Sequence, residues 1–486
     1  MKRLLSFVRT NYLFVIFLLI YAGILVVKFI AHPAPFYDWD ESLYVQTGKE
    51  MLERKFFLFP VWQGEIWFDK PPFVPLVYGL AIKLLFFLSA ELAAHLFTLA
   101  IALVVLTFLY LLYKKVAQSQ LIPTIAVLLT SLTPIFLQRA QVVNLDVFLL
   151  LGWLGYLLFY PRFFLSLFFL FIAVFSKSLI GFYAPALMFA YFIWLWILKK
   201  EKWPAVKKNL IKICLQSAVL LTWFGAMLIM YGQTFWQLHI VESHFRRVTA
   251  SIESHFGKRT YYIDLAIEQF GVYFFLSLFG LATTVYLYLK KKIDEKQLLI
   301  ALYLLPWFLF LNATKTKIFW YFFAAIPQFG FLAAAPLLLL KKNKTVLIVL
   351  AVILTLTFVH FRIYEEKVFS KDYASYDARY RLSLFAKKNC SELIELVDPE
   401  TRNTFSTLQN LGLLISTSKW WGSRPSTVYY FGKHVTFIYD KNEMDKTIAK
   451  KFANTCIVID AKDNEAYKVG SWTRIGTFDS SYLYKQ

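Results

Sequence analysis

The chain predicts an α-helical polytopic membrane protein, with about eleven transmembrane helices, additional interfacial helices and a small C-terminal α/β extracytoplasmic domain. Three observations predict this class. Of 486 residues, 58% are hydrophobic and 17% charged, with a mean hydropathy of +0.54; soluble domains sit nearer half apolar and a quarter charged. Apolar runs approaching the roughly 20 residues that cross a bilayer recur as far as residue 361. The basic residues bunch into short runs between those segments, as they do in membrane-protein loops on one face. The net charge of +21 therefore reflects loop placement and does not point to nucleic acid.

The elements follow in order. "MKRLLSFVRT" and the run after it resemble a signal sequence, but the apolar part is long enough to read as an uncleaved anchor. Spans are expected at 12–31, 90–113, 121–138, 146–161, 163–176, 180–198, 212–231, 267–289, 298–312, 319–340 and 345–361. Lys2, Arg3 and Arg9 place the N-terminus in the cytoplasm. Counting crossings from there, "KK" at 114–115, Arg162, "KKEKWPAVKKNLIK" at 199–212, "KKKIDEK" at 290–296 and "KKNK" at 341–344 all fall inside. This requires that "PPFVPLVYGLAIKLLFFLS" (71–89) is not a full span. Lys83 and the prolines of that run suit a helix lying at the outer interface. A true span there would give twelve helices and a cytoplasmic tail.

Beyond about residue 362 the apolar runs stop. "LIELV" (393–397), "HVTFIYD" (434–440) and "TCIVID" (455–460) read as strands, interleaved with polar helical stretches such as "KNEMDKTIAKKFAN". The expected domains are 1–361, transmembrane and catalytic, and 362–486, extracytoplasmic α/β. Cys390 and Cys456 fall in this tail and would pair if it is extracytoplasmic and they meet, which spacing does not decide.

With that topology, the outer loops carry Asp38, Asp40 and Glu41 in "FYDWDESLYV"; Asp69 and Lys70 in "WFDKPP"; Arg139 and Asp146 in "QRAQVVNLD"; Lys177 in "FSKSLIG"; Arg246 and His255 in "ESHFRRVTASIESHFGKRTYY"; and Lys317 and Tyr321 in "TKTKIFWY". Outward-facing basic residues run against the lysine bias, and a set of them converging makes an anion site, most simply for a phosphate. Carboxylates beside it supply acid–base chemistry. A lipid-held, phosphate-linked substrate with an interfacial carboxylate describes sugar transfer from a polyprenyl-phosphate carrier. No nucleotide-binding loop is present or needed.

The ordered set "WDESLYV", "WFDKPPF", "QRAQVVNLD", "FSKSLIG", "ESHFRR…SHFGKRTYY" and "TKTKIFWYFFAAIP" resembles the GT-C glycosyltransferases, in particular the protein O-mannosyltransferase and aminoarabinose (ArnT-like) transferase superfamily. The match covers residues 1–340, and the tail looks like the periplasmic domain of many bacterial members. The resemblance implies an inverting hexosyl or pentosyl transferase of the cell envelope. It would be multi-pass in the plasma or inner membrane, with active site and tail on the extracytoplasmic side, among membrane lipids. Its donor would be a polyprenyl monophosphate sugar and its acceptor a lipid, protein or glycan. By resemblance Asp40, Glu41 and Asp146 are the catalytic acidic residues, while Lys70, Lys177, Lys317 and Tyr321 contact donor phosphate. Asp69, Arg139, Arg246 and His255 are further site candidates. No cofactor is fixed by the resemblance; a divalent metal is a candidate, with Asp69 and His255 as its ligands. Leu43 and Tyr44 stand where many bacterial members carry Arg and Tyr, and "TKTKIFWY" lacks a proline that often follows the lysine.

Each residue also has a plainer role. Asp40, Glu41 and Asp146 suit helix starts, and Lys70 suits snorkelling to headgroups. Lys317 and Tyr321, at i and i+4, are expected to share a helical face. Two rival functions stand beside the transferase. A transporter or flippase of lipid-linked sugars predicts mid-helix charges and related halves, whereas these charges gather at helix ends. A non-catalytic assembly protein predicts that Asp40 and Lys177 matter for binding alone.

Overall fold

The computed structural model describes residues 2–252, 255–371, 376–397, 406, 407, 410, 414, 415, 424–449, 454–467, 469, 470 and 472–486. The chain divides into two compact units: Met1–Ala31, His95–Trp236 and Phe256–Lys371; and His32–Ala94, Gln237–His255 and Asp372–Gln486.

The first unit is helical. All eleven apolar runs read from the sequence are helical along most of their length, but their continuity differs. Among the described residues, six helical stretches are long and apolar enough to cross a membrane, or up to eight if each bent pair is one span. The expected span at 12–31 is the helix Tyr12–Ala31. Those at 163–176 and 180–198 run on as one stretch, Phe163–Ile197, interrupted by a 3-10 turn at Ser178–Phe182. Close packing explains the turn: a Cβ on Gly181 would meet the Val174 backbone at 2.4 Å. The span at 267–289 is bent by 105° between Tyr261–Phe270 and Tyr273–Leu289, where Gly271 takes φ +55°, a conformation that favours glycine. Segments 121–138 and 146–161 are carried by the shorter helices Leu121–Ser131 and Asp146–Leu158. Pro134 opens a separate short helix, Pro134–Arg139.

The second unit contains three pieces distant in sequence. The first is the helix Asp40–Arg54, a hairpin of β1 (Val61–Trp62) and β2 (Glu65–Ile66), and the helix Phe73–Leu84. At 12 residues the last is about 18 Å long, well short of a hydrocarbon core of roughly 30 Å. The hairpin turn places Gln63 at φ +48° and Gly64 at φ +91°. Both turn N–H groups donate to the Glu50 carboxylate, at 2.9 and 3.0 Å.

The second piece contributes β3 (Ser251–Ile252), parallel to β5 (Leu414–Ile415). The third piece is the tail, a five-stranded sheet ordered β6-β4-β7-β9-β8. It comprises β4 (Glu392–Leu396), β6 (Val435–Ile438), β7 (Thr455–Asp460), β8 (Thr473–Phe478) and β9 (Ser481–Lys485). Strands β6, β4 and β7 run parallel, joined through helices; β9 and β8 close the other edge antiparallel. Strand β7 is an unbroken apolar run because it lies inside the sheet with both faces covered. Ile394, Leu396, Ile438, Met444, Ile457 and Ile459 form the core. The β6 edge, open to aberrant pairing, is closed by a side chain: Gln63 Oε1 accepts from Val435 N (2.8 Å) and its Nε2 donates to Val435 O (3.2 Å).

Cys390 and Cys456 form a disulfide between the end of helix Ala378–Asn389 and β7. It closes 66 residues of sequence, so its loss costs about 4 kcal/mol by the loop-closure estimate. Cys456→Ser is expected to lower the Tm of the purified protein, and reducing agent to lower the wild-type Tm without shifting the variant's.

Candidate functional site

In the second unit, the acidic stretch at 38–41 divides its labour. Glu41 is 1% exposed and its Oε2 accepts from Tyr37 N at 2.6 Å, which makes it a turn-holding residue. Asp38 accepts from the N–H groups of Trp39 (2.9 Å) and Ser426 (3.1 Å), and Arg424 Nη1 lies 3.7 Å from its other oxygen. Phe36 N donates to the Tyr430 hydroxyl at 2.6 Å. Arg424 is tied on through Glu395 to Arg379 and Asp460, so the tail grips the loop just before the helix. Trp39 is held at φ +68°, a conformation bulky side chains adopt only when the surroundings impose it. Asp40 is partly exposed at the first position of Asp40–Arg54. It lies close enough to His255 for its charge to act on that ring: burial holds the imidazole below its ordinary value, Asp40 offsets this in part, and Arg247 adds to the lowering.

Asp69 is the hub of a second group in the same unit. Buried, it pairs with the Lys70 amine and accepts from Ser243 Oγ (2.6 Å) and Arg247 Nη2 (2.9 Å). Burial alone would raise its carboxyl, but Lys70 and Arg247 outweigh it and hold the group well below the usual carboxylate range. Asp69 thus holds an ammonium and a guanidinium side by side. His239 Nδ1 contacts Phe68 O at 2.6 Å, anchoring the helical segment that supplies Ser243 and Arg247. The ring of His244 lies 5.9 Å from that of His239. Its nitrogens are buried and have no hydrogen-bond partner among the described residues.

Arg246, the expected candidate, points elsewhere: it pairs with Glu242 at 3.0 Å. Its neighbour Arg247 reaches Asp69 instead. The reason is a π-helix over Trp236–Phe245, which rotates the following residues out of α-helical phase. Asp69 is also not arranged as a metal ligand, because two cations and a hydroxyl occupy its oxygens. Among the described residues no group of three or more His, Cys, Asp or Glu side chains converges to hold a metal. The expected Asp69–His255 metal pair therefore does not fit these residues.

The first unit holds a separate charged cluster. Asp146, 3% exposed, begins the helix Asp146–Leu158 but does not cap it; Asn144 Oδ1 accepts from Val147 N at 3.0 Å in that role. Its carboxylate instead meets Arg139 Nη2 (3.1 Å) and the Lys177 amine. The Lys177 amine lies 4.5 Å over the Tyr321 ring and the Arg139 guanidinium 5.1 Å over Trp320. Four expected site residues are thus brought together: Arg139, Asp146, Lys177 and Tyr321.

Lys317 is not placed as expected. It lies in an extended stretch before the 3-10 helix Phe319–Ala325, so no helical face is shared with Tyr321. Its amine donates to Leu311 O (3.0 Å) and Asn312 O (3.1 Å), carbonyls at the end of helix Leu305–Ala313. Lys317→Ala is expected to cost about 2 kcal/mol, as loss of a charged donor to carbonyls does. The check is a lower Tm with unchanged KM for the donor.

No protein-family model matches the chain. An uncharacterized protein of Aquifex aeolicus (strain VF5) is 27% identical over 314 residues, 61% of this chain; the chain thus spans 58% of that relative's length. Among solved structures, ArnT from Cupriavidus metallidurans bound to undecaprenyl phosphate aligns over 98% of this chain and 97% of its own, with TM-score 0.66 and 13% identity. Its apo state aligns over 96% and 97%, with TM-score 0.67 and 14% identity. The archaeal oligosaccharyltransferase AglB from Archaeoglobus fulgidus, in complex with an inhibitory peptide and a dolichol-phosphate, aligns over 94% of this chain and 70% of its own, with TM-score 0.59 and 13% identity. The fold is that of the GT-C glycosyltransferases.

Proposed function

We propose that this multi-pass membrane protein of GT-C fold is a glycosyltransferase that moves a sugar from a polyprenyl monophosphate to an extracytoplasmic acceptor with inversion. The observation that carries the reading is the Lys70–Asp69–Arg247 group. Two cations, each less than one-sixth exposed, are fixed side by side on a single carboxylate, a local excess of positive charge that suits a phosphate oxygen. The resemblance to carrier-using transferases, and the undecaprenyl and dolichol phosphates held by the structurally similar ArnT and AglB, support a polyprenyl carrier.

In this reaction an acceptor hydroxyl attacks the anomeric carbon as the bond from that carbon to the phosphate oxygen breaks. Asp40 takes the hydroxyl proton. The electron pair leaves with the carrier phosphate, and Lys70 and Arg247 stabilise the charge that develops there. Glu41 and Asp38 hold the loop that presents Asp40. Asp146, Lys177 and Tyr321 keep the roles the resemblance implies, and Arg139 stays a further candidate. Extracytoplasmic placement is supported by the lysine-rich loops and by the disulfide Cys390–Cys456, which persists in oxidising compartments.

The test is binding of polyprenyl monophosphate to the purified full chain, read as a rise in Tm. Wild type is expected to gain stability with ligand concentration. Lys70→Ala with Arg247→Ala is expected to weaken binding by about a hundredfold, two charged contacts at roughly 1.5 kcal/mol each. Equal binding by both proteins would remove these cations from the phosphate site.

A further inference from the structure

The first unit contains a cavity of about 720 Å³ that the proposed reaction does not use. It lies at the other end of the hairpin from Asp146 and Lys177. Those residues start the helix Asp146–Leu158 and end the helix Phe163–Lys177, whereas Leu157, Tyr160 and Phe163, at the connection between the two helices, line the cavity. A 13-residue helix separates the two ends by about 20 Å.

The lining has two chemistries. Leu157, Met188, Leu195 and Ile300, all buried, make an apolar wall. Lys115, Lys208, Lys212 and Lys296 also line it, against one carboxylate, Glu201. These lysines come from three of the basic runs that the crossing count places on the cytoplasmic face. The chain ends that carry them are fixed: the Lys212 amine is bonded to Tyr160 O and lies 4.2 Å over the Tyr160 ring. Beside Lys296, Gln297 Nε2 donates to Lys115 O at 2.9 Å.

We propose that this cavity is a binding site for an anionic phospholipid of the leaflet at the lysine-rich face, its headgroup phosphate among the lysines and an acyl chain along the apolar wall. A void walled by buried leucine, isoleucine and methionine is better filled by hydrocarbon than by water. The excess of ammonium groups over carboxylates selects an anionic headgroup over a zwitterionic one. A free phosphate has no use for the apolar wall, so lipid is the source the lining favours. The inference is independent of the transfer reaction.

The experiment reconstitutes the full chain in nanodiscs of phosphatidylcholine with a minority of phosphatidylglycerol, then reads the retained lipid by native mass spectrometry. Phosphatidylglycerol is expected to be retained about tenfold above its share, and Lys208→Glu with Lys296→Glu, both at exposed positions, to abolish that enrichment. Met188→Trp, which narrows the apolar wall and leaves every lysine in place, is expected to reduce retention likewise. Retention in proportion to membrane composition, enrichment unchanged by both the charge reversals and the wall substitution, or displacement of the lipid by inorganic phosphate would each overturn the proposal.

Discussion

Asp40→Asn is expected to reduce sugar transfer about a thousandfold in kcat, within the range attributed to general-base catalysis, while leaving Tm and donor binding close to wild type. The argument rests on where the other acids go. Asp38 is consumed by Trp39 N, Ser426 N and Arg424, and Glu41 by Tyr37 N, so neither is placed to replace Asp40 as base. Asparagine is isosteric, and losing the charge from the first turn of the helix costs about 0.3–1 kcal/mol, so the fold is expected to tolerate the substitution. A matched loss of activity and stability would assign Asp40 to the fold instead.

The second large effect is at Asp69. Replacing it by alanine leaves Lys70 and Arg247 without their shared counter-ion in a buried setting, where removing one partner costs about 3–5 kcal/mol. Asp69→Ala is expected to lower folded yield sharply and to raise the donor KM in whatever protein is recovered. The sign with pH follows from its depressed carboxyl: the pairing is fully present above the unfolded-state carboxylate range and is lost only as pH falls well below it. Asp69→Glu keeps the charge in a longer side chain and is expected to retain folding with partial activity. If Asp69→Ala instead folded as stably as wild type, the two cations would have another counter-ion, and Asp69 would not be their hub.

The sequence was most legible where chemistry repeats along the chain. Apolar runs located the helices, and "TCIVID" located the central strand β7 to the residue. The number of continuous spans was less legible, because breaks such as Ser178–Phe182 and the bend at Gly271 depend on close packing with other segments. Arg246 and Arg247 are adjacent and chemically equal; only the π-helical phase before them decides that Arg247 meets Asp69. Lys317 sits at helical spacing from Tyr321, yet tertiary structure turns it toward the end of another helix. Gln63 closes the sheet edge 372 residues away at Val435, and the grip of Arg424 on Asp38 is similarly remote. Neither has a local signal. Lys70 and Asp146 were readable as members of charged groups because a charge beside an apolar run is costly unless something pairs with it.

The most direct test of the central claim supplies the purified chain, in a bilayer, with a polyprenyl monophosphate carrying a radiolabelled sugar and a pool of extracted envelope acceptors. The account predicts that label moves covalently to an acceptor with inverted anomeric configuration, and that one carrier monophosphate is released for each sugar transferred. Label that crosses the bilayer with the sugar–phosphate bond intact would contradict it and identify a transporter of the lipid-linked sugar.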